Sequence, residues 1–143
     1  MRLWFSKALI ITLVLLLGCS HDKTDEPVGP PPTPSSGRVS LLNNSEVSVM
    51  IAGYTQLRGG ESRQVNLYVH LFPGNTFYLH NLFEPEQGQL FPGGDKISLL
   101  YRADSPDPSN PSQPLFQETV ELIVNGDLTI QIKSGGEYGI SPG

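Results

Sequence analysis

The sequence predicts an all-β domain, an antiparallel β-sandwich of about seven strands. Three observations predict it. Beyond Arg38 the apolar residues alternate with polar ones, the alternating runs are separated at short intervals by Gly, Pro and Asn, and no later stretch sustains a helical period.

The chain opens with a different pattern. Arg2 and Lys7 precede an apolar run from Ala8 to Leu17, and Gly18 stands directly before Cys19, the only cysteine of the 143 residues. This is the layout of a secretory signal peptide, with an apolar stretch too short to span a bilayer. Leu16, Gly18 and Cys19 resemble the lipobox of bacterial lipoproteins, a resemblance confined to residues 1–19. It implies cleavage of residues 1–18 and acylation of Cys19, palmitate being the expected kind of chain, so that the protein is held to a membrane through its N-terminal lipid. Ser20 is not the Asp that resembles an inner-membrane retention signal, so the expected address is the cell envelope, at the outer membrane.

Removal of residues 1–18 takes Arg2, Lys7 and the only tryptophan, Trp4, with it. Seven basic residues then face fourteen acidic ones, and the formal net charge moves from -5 to -7. An acidic chain of this kind is a poor partner for nucleic acid. With Cys19 acylated there is no thiol left for a disulfide, so the fold rests on its core.

Residues 19–37 read as the lipidated cysteine and a disordered tether. Pro27, Pro30, Pro31, Pro32 and Pro34 lie among Gly, Ser, Thr and charged residues, with Val28 as the only aliphatic side chain. Such a segment favours an extended polyproline-like chain of ~3 Å per residue, long enough for a reach of roughly 50 Å.

Residues 38–143 form the predicted domain. Val39 and Leu41, then Val47, Val49 and Ile51, alternate on either side of Asn43-Asn44-Ser45, a hairpin pattern that sets Leu41 opposite Val47 and Val39 opposite Val49. Gly53 and Gly59-Gly60 bracket what reads as a polar connection. Val65, Leu67, Val69 and Leu71 then alternate with Asn66, Tyr68 and His70, and beyond Pro73-Gly74-Asn75 Phe77 and Leu79 alternate with Tyr78 and His80. A second hairpin is expected here, with Leu71 facing Phe77. Leu82 to Gly94 reads as an irregular connection. The next strand is Lys96 to Ala103, followed by a Pro-rich loop from Asp104 to Pro114.

The last expected hairpin joins Phe116–Val124 to Leu128–Lys133 through Asn125-Gly126-Asp127. Pairing Val124 with Leu128, Leu122 with Ile130 and Val120 with Ile132 keeps all six on one side, whereas a two-residue loop would mix the faces. Gly135, Gly136 and Pro142 leave room for a short final strand at most. The sum suggests a sandwich of immunoglobulin-like or transthyretin-like kind, without the core Trp and cysteine pair of true immunoglobulin domains.

Function is less legible. No Gly-x-Ser-x-Gly or comparable nucleophile signature occurs, so no enzyme is expected and no catalytic residue is assigned. In the second hairpin's register Tyr68, His70, Tyr78 and His80 would share one outer patch, a possible contact surface for a partner protein. The two histidines alone fall short of the three or four ligands a zinc site takes, and the loop acids Asp104 and Asp107 lack calcium-loop spacing. Neither a metal nor a cofactor is expected. The expectation is thus a non-enzymatic protein-interaction or structural module with an envelope protein as partner; the alternative is a module binding glycan or cell-wall polymer.

Overall fold

In the computed structural model the described residues are 29–104, 109 and 113–143. Leu16, Gly18, Cys19 and the tether up to residue 28 lie outside them. Every strand described belongs to the unit Pro32–Gly143.

The described residues form nine strands in chain order: β1 Gly37–Asn43, β2 Val49–Arg58, β3 Glu61–Leu71, β4 Thr76–Tyr78, β5 Leu90–Phe91, β6 Lys96–Ala103, β7 Phe116–Ile123, β8 Leu128–Ile132 and β9 Tyr138–Pro142. Among the described residues two single turns of 3-10 helix, Pro85–Gln87 and Ser134–Gly136, interrupt them. One sheet has four strands in the order β3-β2-β6-β7; the other has five, with β4-β1-β8-β9 in line and β5 also on β1. Val39, Leu41, Ile130 and Ile132 from the second sheet and Val49, Ile51, Leu99, Tyr101, Val120 and Leu122 from the first belong to one apolar cluster, so the two sheets share a core.

The strands expected at Lys96–Ala103 and from Phe116 are present, but none of the three expected hairpins forms. β1 pairs with β4, β5 and β8, whereas β2 pairs with β3 and β6. β3 and β4 lie in different sheets, as do β7 and β8. Each connection thus carries the chain from one sheet to the other. The physical reason is that alternation fixes which face of a strand is buried but not its neighbour. Leu41 and Val49 both point into the core, one from each sheet, which satisfies the same pattern that a hairpin would. The sheet is also not wholly antiparallel: β1 runs parallel to β8, from Val39↔Leu128 to Asn43↔Ile132.

Among the described residues the one tight hairpin is β2–β3, where the sequence pattern suggests a polar connection. Gly59 and Gly60 form a two-residue turn with φ of 57° and 88°, the geometry a type I′ hairpin demands. Its strand was hidden by a shift of phase. Against β6, Ile51 pairs with Tyr101 and Gly53 with Leu100, leaving Ala52 as an extra residue. Against β3, Ile51 pairs with Val69 and Gly53 with Asn66, so Leu67 and Tyr68 stand opposite Ala52. This bulge turns the inward positions of β2 from Val49 and Ile51 to Tyr54 and Gln56.

The two poles of the sheets differ. At the lower pole Ser35 is held by Asn125 and Gly126: its N–H donates to Asn125 Oδ1 at 3.0 Å and its carbonyl accepts from Gly126 N at 2.8 Å. Arg38 N donates to Asp127 Oδ1 at 2.8 Å. The Asn-Gly-Asp turn therefore grips the entering chain instead of closing a hairpin. At the upper pole the buried Asn43 amide donates to Val47 O at 2.9 Å and to Leu71 O at 2.8 Å, tying the β1–β2 and β3–β4 connections together.

Candidate functional site

The four residues expected to form one patch are dispersed. Tyr68 and His70 lie on β3, and Tyr78 on β4 of the other sheet, with His80 just beyond it. His70 pairs with Met50, on the side of its sheet turned from the core, and Tyr78 pairs with Ser40, whose hydroxyl meets Thr129 Oγ1 at 3.0 Å. The register that joined them required a β3–β4 hairpin. Tyr68 is the bulge residue, at φ 52° the one non-glycine in left-handed conformation among the described residues. His80 takes part through its backbone: the buried Tyr54 hydroxyl donates to its carbonyl and accepts from its N–H. Burial is the main cause that raises the Tyr54 pKa from its ordinary value, with the His80 bond opposing it.

Three other features emerge. The first is a polar cluster under the lower pole, created by the β2 phase shift. Gln56 turns inward, where Nε2 donates to Asn81 Oδ1 at 3.0 Å and to Asp95 Oδ2 at 2.6 Å while Oε1 accepts from Leu82 N at 2.6 Å. Arg58 forks onto Asp95 through Nε and Nη2, each at 2.9 Å, and reaches Glu84 Oε2 through Nη1 at 2.9 Å. Asn81 Oδ1 also accepts from the N–H groups of Phe83 and Glu84, and its Nδ2 donates to Leu90 O. The hydrogen bond to Asp95 is the main cause holding the Arg58 guanidinium pKa above its ordinary value; burial opposes it and Glu84 adds to it. Arg58 and Arg63 both lie over the Phe83 ring, 4.9 and 4.6 Å from its centroid. The side chains of this cluster are engaged with one another and with the backbone of 82–90. Chemically it is a fastening for the long β4–β6 connection, which explains how a segment with little regular structure stays ordered.

The second feature lies at the upper pole. Phe72 and Leu115 are 60% and 54% exposed, and Val47 is exposed beside them. Val47, Leu115 and Phe116 line a cleft of about 210 Å³ with Ser45, Glu46, Ser134 and Gly135. Through Asn43, the Val47 loop is bound to the carbonyl of Leu71, the residue before Phe72. Beneath them Tyr101 donates to Gly136 O at 2.5 Å and packs edge-on against Phe116, ring centroids 6.3 Å apart.

The third is a shallow groove of about 640 Å³ across β2, β6 and β7 near the lower pole. Thr55, Leu57, Lys96, Ser98, Glu121 and Ile123 contribute to it. It presents one cation and one carboxylate around an apolar floor.

The sequence signals for these features differ. The Gly59-Gly60 pair marks the turn that sets up Arg58, whereas nothing local announces that Asp95 and Asn81 meet Gln56. Among the described residues no group of three or more His, Cys, Asp or Glu is arranged to hold a metal ion. The sequence matches no protein-family model and no curated protein.

Proposed function

We propose that the protein is a membrane-anchored envelope lipoprotein, fixed through Cys19 at the outer membrane. In this reading its domain, a β-sandwich of immunoglobulin-like or transthyretin-like kind, is a non-enzymatic protein-interaction or structural module. The observation that carries the interaction reading is the placement of exposed apolar side chains. Phe72, Leu115 and Val47 stand on loops at the pole opposite the Ser35 clamp. Apolar and aromatic groups gathered on loops are the anchors that protein interfaces use. The partner is another envelope protein, met at the pole opposite the Ser35 clamp.

The test is a mild crosslink in whole cells followed by recovery of the lipidated protein. The upper-pole variant Phe72→Ser/Leu115→Ser is compared with Tyr68→Ala/Tyr78→Ala, each with wild-type circular dichroism. One discrete envelope protein recovered by the wild type and by the tyrosine variant, and lost from the upper-pole variant, supports the reading. Equal recovery by all three removes it. The alternative, a module for glycan or cell-wall polymer, draws on the groove over Leu57, Lys96 and Glu121. It gains if cell-wall glycan stays with the wild type and leaves on Lys96→Ala/Glu121→Ala.

A further inference from the structure

The sheet edges are unequal. β3 carries the Tyr68 bulge together with Glu61 and Arg63, β7 carries Glu118 and Glu121, and β4 has only three residues. Bulges, charges and short length are the devices by which edge strands refuse further pairing. β9, at the end of the five-stranded sheet, reads Tyr138-Gly139-Ile140-Ser141-Pro142 and has no charged residue.

The backbone of β9 says what would fit it. Lys133 N donates to Glu137 O at 2.7 Å and Gly143 N to Asp127 O at 2.8 Å, so 133/137 and 127/143 are hydrogen-bonded pairs. In an antiparallel ladder such pairs alternate, which makes 129/141 and 131/139 hydrogen-bonded as well in the observed register. Gly139 and Ser141 therefore spend their backbone groups on β8. Tyr138, Ile140 and Pro142 turn theirs away from it, and Pro142 stands at a position where no N–H is needed.

We infer that β9 is a self-pairing edge that takes β9 of a second copy, antiparallel and centred on Ile140. In that register Ile140 meets Ile140 of the other copy in a reciprocal hydrogen-bonded pair, and Tyr138 meets Pro142. Each Tyr138 N–H then donates to a Pro142 carbonyl, so all four outward N–H groups of the two strands are used, and the missing proline N–H groups leave only the two Tyr138 carbonyls, one per copy, without a donor. The register is its own mirror under a two-fold axis, as a contact between identical chains requires. Tyr138 and Ile140, 38% and 43% exposed, lie on the core side of the sheet, opposite Ile132 and Ile130, and would be covered by Pro142 and Ile140 of the other copy respectively. Two acidic chains meet there without opposing like charges. Five residues make a small interface, so the pairing is weak in dilute solution and grows with local concentration.

Disulfide trapping on the full chain reads the register. A hydrogen-bonded pair has Cα atoms ~5.5 Å apart, within disulfide reach, whereas Tyr138 and its own copy would be about 13 Å apart. Under mild oxidation Ile140→Cys should give a covalent dimer at least tenfold above wild type, which sets the background. Tyr138→Cys and Pro142→Cys should each stay near background alone and link when mixed. Ser62→Cys on β3 reports random collision. Failure of both Ile140→Cys and the 138/142 mixture to exceed Ser62→Cys overturns the inference, as does equal linking at every position. The mixture keeps the test valid should Ile140→Cys not fold.

Discussion

Arg58 offers a test in which one side chain serves as its own control. Its guanidinium makes two ion pairs of equal length, 2.9 Å to Glu84 and 2.9 Å to Asp95, but the side chain of Glu84 is 41% exposed and that of Asp95 only 3%. An exposed pair is worth ~0–1 kcal/mol, because water screens it and two long side chains must be ordered. Removing one partner of a buried pair costs about 3–5 kcal/mol, most of it the burden of a carboxylate or guanidinium left without a counterpart. Asp95→Ala should therefore destabilise by about 3 kcal/mol, at the lower end because Arg58 keeps Glu84 and a face of Phe83, and it also strands one amide hydrogen of Gln56. Arg58→Ala, which leaves a buried carboxylate, should cost as much or more, and Glu84→Ala under ~1 kcal/mol. Urea unfolding followed by far-ultraviolet circular dichroism measures each. A double-mutant cycle should give the Arg58–Asp95 coupling several times that of Arg58–Glu84. If Glu84→Ala matched Asp95→Ala, or if both cost less than ~1 kcal/mol, burial would not be what ranks these contacts.

Three further outcomes follow from the same structure. A methyl group at Gly37 would lie 2.0 Å from the Gly126 backbone, so Gly37→Ala should cost about 1–3 kcal/mol by forced displacement and loosen the Ser35 clamp, visible as faster amide exchange at Ser35 and Gly126. Tyr68→Gly should leave stability unchanged or raise it by up to ~1–2 kcal/mol, since the left-handed backbone no longer opposes a side chain, whereas Tyr68→Val should lower it; thermal melts separate the two. Tyr101 has its pKa raised above the ordinary 10.0, first by burial and then by Glu118 and Tyr138. Its contribution is therefore complete below pH 10 and is lost as the pH rises beyond it, because the unfolded chain releases the phenolic proton first. Tyr101→Phe should flatten the fall of stability between pH 10 and 12, though it also gives up the bond to Gly136 O.

How much of this was legible depended on the kind of information each residue carries. Alternation identified the core-facing residues on β1, β6, β7 and β8, because a half-buried strand has to alternate wherever it sits. It did not identify neighbours: Val120 was expected opposite Ile132 and lies opposite Leu99, and the parallel contact of β1 with β8 joins residues 89 apart. β2 was lost beyond Ile51 because Ala52 shifts the phase, so Tyr54 and Gln56 point inward where the period expects them outward. The expected aromatic patch failed for the first reason, since its members were gathered by an assumed hairpin. The Gln56–Asp95–Arg58 cluster was out of reach for both, as its parts come from three segments and are aimed by a bulge. At β9, Pro142 pointed to a minimal strand, yet it occupies the one side of an edge that tolerates it.

The proposed attachment of the chain to a membrane through Cys19 is decided by the chemistry of that residue in the producing cell. Labelled palmitate should enter the wild-type protein and not Cys19→Ser, and mass spectrometry should find a mature N-terminus at an acylated Cys19 with residues 1–18 gone. An unlabelled protein, or a mature chain beginning at another residue with a free Cys19 thiol, would contradict it.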